Sequence, residues 1–84
     1  MSHRRSETDI VTEILRATLN EPGITKVMYS TNLNHVTAED YLGQLQKKGL
    51  IEIIAQFPRK RYRTTLLGKQ LLGHLEEVSQ LLQQ

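Results

Sequence analysis

The sequence has 84 residues, a formal net charge of +2 and no cysteine. A chain of this length forms a single domain, and it buries only roughly 60–65% of its unfolded surface, so it is marginally stable alone. Without cysteine no disulfide can add stability, and His3, His35 and His74 are too scattered to hold a metal ion. Association with a second chain is the remaining common source of stability.

The charge is unevenly distributed along the chain. Residues 43–69 carry seven basic side chains and one acidic side chain, a net charge of +6, whereas residues 70–84 carry only two acidic ones. A local positive field of this kind favours a polyanionic partner. No apolar run approaches the ~18 residues that cross a membrane, and no signal peptide is visible. We therefore expect a cytoplasmic protein with no membrane partner, cofactor or small-molecule effector.

The first helix is predicted over Glu7–Leu19, after a short polar arm of residues 1–6. Ser6 or Thr8 can cap its start, and Pro22 ends it because proline lacks the backbone N–H that a helix needs. One apolar stripe at helical spacing supports this helix: Ile10, Val11, Ile14, Leu15 and Thr18.

The stretch 24–51 contains two helical patterns joined by the tight polar turn Asn32-Leu33-Asn34. Thr25 can cap the first of these helices, which is predicted over Lys26–Thr31 with Val27 and Met28 directed to the core. A short helix, a turn and a longer helix predict a helix-turn-helix, in which the second helix enters the DNA major groove.

The longer helix is predicted over His35–Lys48, with Asn34 as its cap and Gly49 as the left-handed residue that ends it. Gly43 inside this helix costs ~1 kcal/mol relative to alanine, and close approach of another backbone is one explanation. Its core face is predicted to be Ala38, Tyr41, Leu42 and Leu45. Its other face carries Thr37, Asp40, Gln44 and Lys47, flanked by Val36 and Glu39.

A β-hairpin is predicted next, with strands over Leu50–Ala55 and Arg61–Thr64 and a turn at residues 57–60. Tyr62 should point inward. The first strand has too many aliphatic residues for a period of two, so Ile53 or Ile54 should be exposed or at an interface. The tip and outgoing strand concentrate the basic residues Arg59, Lys60, Arg61 and Arg63.

Thr65 can cap a final helix over Leu66–Gln83, whose 18 residues span about 27 Å. A small body covers only the first two turns, so the rest of its apolar stripe should project into water. This projection predicts a homodimer through the helix, and the alternative is a helix that folds back over its own domain. The stripe is Leu67, Leu71, Leu75, Val78, Leu81 and Leu82, of which Leu71, Leu75, Val78 and Leu82 have heptad spacing.

The order helix, helix, turn, helix, hairpin, helix predicts a mainly α protein with a β-hairpin, a winged helix-turn-helix. Residues 1–84 form one domain, with a winged-helix body over 7–64 and a C-terminal dimerisation helix over 65–84. The stretch 24–51, the later YRTTLLG at 62–68 and the RRS start at 4–6 resemble archaeal winged-helix regulators. This family includes small ten-kilodalton chromatin-type DNA-binding proteins and related small viral regulators.

The resemblance implies a non-enzymatic DNA-binding regulator or architectural protein that dimerises through its C-terminal helices. The sequence departs from the family where members carry lysines on the exposed recognition face, since here that face has Val36, Glu39 and Asp40. Carboxylates repel phosphate and accept only from cytosine N4–H₂ at a base edge. We therefore expect the basic wing at 56–64 to supply affinity and the helix at 35–48 to select the sequence.

The residues predicted to contact base edges are Asn34, His35, Thr37 and Gln44, with a packed ring as the alternative role of His35. The residues predicted to contact the DNA backbone are Arg4, Arg5, Lys26, Arg59, Lys60, Arg61 and Arg63. Arg4 and Arg5 belong to an arm that is either a phosphate contact or a disordered terminus. Tyr41 and Tyr62 should be core residues rather than stacking platforms for bases, whereas Tyr29 could be either.

Two other functions remain open at the level of sequence. One is a protein–protein winged-helix module without nucleic-acid binding, suggested by the acidic helix face and the extra isoleucines. The other is RNA binding, which no aromatic stacking motif favours. The sequence lacks a cysteine nucleophile, a Ser-x-x-Lys motif and a glycine-rich phosphate loop, so no enzymatic activity is expected.

Overall fold

The computed structural model describes residues 5–83, which form a helical body with one β-hairpin. Its elements in chain order are α1 (Glu7–Ala17), a 3-10 turn (Thr18–Asn20), α2 (Ile24–Thr31), α3 (His35–Lys47), β1 (Ile51–Ala55), β2 (Arg61–Thr64) and α4 (Leu66–Leu82). The predicted class is confirmed. None of the helices within these residues is both long and apolar enough to cross a bilayer.

Helix α1 begins at a reciprocal cap and ends two residues before the predicted boundary. The Ser6 hydroxyl accepts from the Asp9 backbone N–H, and the Asp9 carboxylate accepts from the Ser6 N–H, both at 3.0 Å. At the other end Thr18 turns its hydroxyl back onto the Ile14 and Leu15 carbonyls, and the helix tightens into a 3-10 turn. Glu21, with φ of 55°, then redirects the chain.

Helix α2 begins at Ile24, so the prediction that Thr25 caps a helix starting at Lys26 was wrong. Gly23 is the cap residue, and no side chain satisfies the free N–H groups at this end. Ile24 packs against the core, which draws the first turn of the helix inward and leaves Thr25 exposed within it. Burial of one isoleucine therefore outweighed the capping preference of threonine.

Helix α3 has the predicted cap and stop. The Asn34 side chain accepts from the Thr37 N–H at 2.8 Å, and Gly49 adopts a φ of +75° after the last turn. Between α2 and α3 the turn depends on Asn32, which is left-handed at φ of 54°.

The hairpin pairs Ile51 with Thr64 and Ile53 with Tyr62, and a β-bulge at Ile54 then shifts the register so that Ala55 pairs with Arg61. The bulge explains why β1 has too many aliphatic residues for simple alternation, because one of them is an inserted residue. Ile53 and Ile54 are both half-buried. The wing thus gains extra twist between its base and its tip.

The core lies where α1, α2, α3, the base of the hairpin and the first half of α4 meet. Thr18 and Thr64, which come from distant parts of the chain, are also buried there. Their hydroxyl oxygens are 2.5 Å apart, and the Thr64 hydroxyl donates to the Leu15 carbonyl. The buried apolar side chains of this core are Ile14, Leu15, Val27, Leu42, Leu45, Leu50, Ile51, Tyr62 and Leu72.

Helix α4 docks against the start of the hairpin at a glycine. A Cβ atom on Gly68 would lie 2.2 Å from the Leu50 carbonyl oxygen, so only glycine permits this approach. The Thr65 side chain caps the helix by accepting from the Gly68 N–H, as predicted. Leu72 supplies the buried contact, whereas Leu67, expected in the inner stripe, is 52% exposed.

Candidate nucleic-acid interface

Helix α3 presents a polar face opposite its buried residues. Asp40, Gln44 and Lys47 are exposed as predicted, and Thr37 is half-buried. Val36 is 76% exposed on the same face, and Gly43 has open space where a Cβ would stand. This face therefore carries few large side chains. The Asp40 carboxylate lies at its centre, and the Lys47 ammonium lies at its C-terminal end.

The four side chains predicted to contact base edges differ in how free they are. The Asn34 oxygen is occupied in capping α3, which leaves only its amide N–H₂ available. His35 is not a packed ring, because its side chain is 54% exposed and its Nδ1 lies 3.4 Å from the Glu39 carboxylate. Gln44 is exposed, with its amide nitrogen 3.4 Å from an Asp40 oxygen.

The basic residues before α3 have two different environments. Lys26 is exposed on the outer face of α2 beside Tyr29, which is 87% exposed and so lies outside the core. Arg5 instead makes contacts within the protein, to the Glu13 carboxylate at 2.6 Å and to the Thr31 and Asn32 carbonyls at the end of α2. Arg4 lies outside the described residues.

The tip of the wing, residues 56–60, is exposed throughout. Arg59 and Lys60 form no ion pair with another residue of the described chain. Phe57 stands beside them and is 89% exposed, which places a large apolar ring next to two unpaired cations.

The base of the wing is tied to the body by polar contacts. The Arg61 Nε donates to the Glu21 carbonyl at 2.8 Å, and the Tyr62 N–H donates to the Pro22 carbonyl at 3.0 Å. Arg63 lies 3.3 Å from the Glu52 carboxylate across the hairpin and 3.7 Å from that of Glu21. Two of the four predicted wing cations are thus already engaged, while the two at the tip are not.

Tyr62 joins the wing to the recognition helix. Its ring is buried beneath the hairpin, and burial raises the pKa of its hydroxyl above the ordinary 10.0, with the negative charge of Glu39 on α3 raising this pKa further. Tyr62 belongs to the same core cluster as Leu42 and Leu45 of α3, so the core positions the wing and α3 relative to each other.

The apolar stripe of α4 has an inner and an outer half. Leu71 and Leu75 pack against the body, while Val78 and Leu82 are 53% and 80% exposed. Arg16 holds the helix against α1 with two hydrogen bonds to Glu76, at 2.8 and 3.1 Å. Val78, Leu81 and Leu82 thus continue beyond the domain that covers the first half of the stripe.

Sequence reasoning missed Phe57 and Val36 as exposed elements of this surface. Phe57 was assigned only to a turn, although it is the single phenylalanine of the chain and lies outside any apolar periodicity. An apolar ring in a turn beside cations is the signal that could have identified it. Val36 was placed only as a flank of the helix face.

Comparison with known proteins agrees with this architecture. A family model described as winged helix-turn-helix matches residues 4–83. Among solved structures, the chain is similar to Sso10a-2, a DNA-binding protein from Sulfolobus solfataricus, with 38% sequence identity and a TM-score of 0.86, covering 94% of this chain and 83% of that one. No curated protein matches the sequence significantly. The resemblance inferred from sequence is confirmed, and the chain belongs to the winged helix-turn-helix family.

Proposed function

We propose that this protein is a sequence-selective double-stranded DNA-binding transcriptional regulator that acts as a homodimer in the cytoplasm, on the nucleoid. The observation that carries the proposal is the wing tip, where Arg59 and Lys60 are exposed and form no ion pair within the described chain, on the hairpin that follows a helix-turn-helix. Cations in such a position bind phosphates and release counterions. The similarity to Sso10a-2, itself described as DNA-binding, supports the same conclusion.

Affinity and selectivity come from different elements in this proposal. Helix α3 enters the major groove with His35, Thr37 and Gln44 toward base edges, and Asn34 offers its remaining amide N–H₂. Asp40 and Glu39 on the same helix repel phosphate, so α3 contributes discrimination more than binding strength. Lys26 and the wing cations listed above hold the flanking backbone, with Arg59 and Lys60 as the principal contacts.

The homodimer in this proposal forms through α4. The inner half of its stripe already has a partner in the domain, and the outer half does not. A second copy supplies the same apolar residues, so Val78, Leu81 and Leu82 of the two copies cover each other. Two recognition helices then bind half-sites about one helical turn, 34–36 Å, apart.

A fluorescence anisotropy titration with duplex DNA, followed by selection of bound sequences from a random pool, tests the proposal. The expected result is binding that weakens as salt rises, and enrichment of one two-fold symmetric site. Duplex binding without any enriched sequence would contradict selectivity. The absence of binding below about 100 µM would contradict the DNA-binding function itself, because even non-specific affinities lie at 10⁻⁴–10⁻⁶ M.

A protein–protein winged-helix module is the second candidate, favoured by the exposed Val36 beside the carboxylates of Glu39 and Asp40. Charge reversal at the wing tip, Arg59→Glu with Lys60→Glu, separates the two functions. DNA retention falls sharply if the protein binds DNA. If the protein is an adaptor, the variant retains as much DNA as the wild type.

A further inference from the structure

Phe57 occupies a position that core packing does not explain. It is the only phenylalanine in the chain, it is 89% exposed, and it stands at the tip of the hairpin rather than in the body. A single exposed apolar residue needs no explanation by itself. Here, however, the ring stands beside Arg59 and Lys60, which have no internal ion-pair partner, on the element that the proposed function brings to DNA.

The chemistry of the tip limits what the ring can contact on a duplex. Phenylalanine has no donor or acceptor, so it cannot bind phosphates or contact the hydrogen-bonding edges of bases. Its favourable contacts are with the thymine methyl group in the major groove and with the apolar face of a base, which becomes accessible when a base step opens. Proteins that open base steps do so from the minor groove with apolar side chains, and cations are attracted into that groove.

The wing is also supported in the way that an inserting side chain requires. Opening a base step costs free energy, so the inserting residue must be held by a rigid element. The hairpin base is held by the Tyr62–Pro22 backbone hydrogen bond and by the Arg61 Nε bond to the Glu21 carbonyl. The bulge at Ile54 adds twist just before the tip, which re-aims the residues that follow.

We propose that Phe57 inserts from the minor groove into a base step beside the site occupied by α3, and that the DNA bends where it inserts. This inference rests on the proposed DNA-binding function and deepens it. In this inference Arg59 and Lys60 bind the phosphates that flank that groove, and Phe57 bends the duplex by opening the base step.

The variant Phe57→Trp tests insertion directly, because the chain contains no other tryptophan. In the complex with a selected duplex, its emission should be quenched by base stacking and protected from acrylamide. Emission that is as open to acrylamide in the saturated complex as in the free protein would overturn insertion. Protection already present in the free protein would also overturn it, because the ring would then belong to a contact between copies.

The variant Phe57→Ala tests bending, measured by energy transfer between dyes at the two duplex ends. It should bind about tenfold more weakly, because the contact between the aromatic ring and the bases is lost, and its complex should be straighter than that of the wild type. Leu66→Ala, which removes an apolar side chain that is 74% exposed on α4, is the matched control and should change neither quantity. An equally bent complex with Phe57→Ala would overturn the inference while leaving the DNA-binding function intact. Failure of the wild type to bind duplex would instead overturn both.

Discussion

Gly68 and Gly43 are two helical glycines at which an added methyl group should change the free energy of unfolding in opposite directions. A Cβ on Gly68 would lie 2.2 Å from the Leu50 carbonyl oxygen and 2.6 Å from the Thr64 Cγ2, whereas a Cβ on Gly43 would meet no atom within 4 Å. Gly68→Ala is therefore expected to lower the free energy of unfolding by about 1–3 kcal/mol or more. Gly43→Ala is expected to raise it by about 1 kcal/mol.

Urea denaturation followed by circular dichroism measures both changes under the same conditions. Equal effects of the two substitutions would contradict the close packing of α4 against the hairpin. Gly43 lies on the exposed face of α3. Its alanine variant therefore also tests whether close approach of α3 to DNA requires that this position has no side chain. In that case the DNA affinity falls while the free energy of unfolding rises.

Tyr62 makes the stability of the fold dependent on alkaline pH. Its pKa is raised by burial and by Glu39, so the folded state favours the neutral phenol. The unfolded chain loses this proton near pH 10, before the folded protein does, so the stabilisation is complete below about pH 10 and is lost as pH rises through the folded pKa.

Tyr62→Phe should therefore lose less stability between pH 8 and pH 11 than the wild type, in urea unfolding at each pH. Lysines also titrate in this range, and the comparison between the two proteins cancels their contribution. Tyr29→Phe, which removes an exposed phenol from α2, is the control and should follow the wild type. Equal alkaline losses in the wild type and Tyr62→Phe would show that the folded state does not favour the neutral phenol.

In the proposed function, helix α3 selects the DNA sequence. The Asp40 carboxylate stands on the exposed face of this helix and repels the phosphates on both sides of a groove. Asp40→Asn should raise affinity for an arbitrary duplex by about fivefold, the equivalent of about 1 kcal/mol between two unit charges roughly 4 Å apart in water. The same variant should bind its selected site with less discrimination. Anisotropy titrations against selected and scrambled duplexes measure both, and an unchanged affinity for scrambled DNA would place Asp40 away from the phosphates.

The elements themselves were largely predictable from sequence, because their ends carry local chemical signals. Asn34, Gly49 and Thr65 each fix a helix end by a capping oxygen or a left-handed backbone, and all three were identified. The start of α2 was not, because the burial of Ile24 overrode the cap that Thr25 offered. A local rule fails where a tertiary contact acts on the same residue.

The candidate site was less predictable, because a count of basic residues in the sequence does not show which of them form contacts within the folded protein. Arg61 and Arg63 contribute to the basic run of the sequence, but the folded hairpin brings them to the Glu21 carbonyl and to the Glu52 carboxylate. Neither pairing is visible from sequence spacing alone. Arg59 and Lys60 lie at the exposed tip and form no ion pair within the described chain. The sequence therefore predicts the position of the candidate interface, and the structure shows which of its cations have partners within the described chain.

In the proposed homodimer, the exposed half of α4 forms the contact between the two copies. Val78→Glu with Leu82→Glu places two charges in the proposed seam without altering the body, and it should convert a dimer of twice the 9.7 kDa chain mass into a monomer. Sedimentation equilibrium measures the mass, and Leu66→Glu at the opposite end of the helix is the matched control. Affinity for a duplex with two half-sites should fall about 100-fold or more, because linked binding of the second half-site is lost. A wild-type chain that sediments as a monomer would contradict the seam.

In the proposed function the unpaired cations of the wing tip bind the phosphates of DNA, and the salt dependence of binding measures this contact. The measurement is the slope of log affinity against log salt concentration, for the wild type, for Arg59→Ala with Lys60→Ala, and for the control Lys69→Glu. The control lowers the net charge by the same two units at an exposed residue of α4, outside the helix-turn-helix and the wing. If each tip cation releases one counterion, the wing variant should lose about 1.8 units of slope per bound protomer while the control keeps the wild-type slope. Equal slopes for all three proteins would contradict the claim.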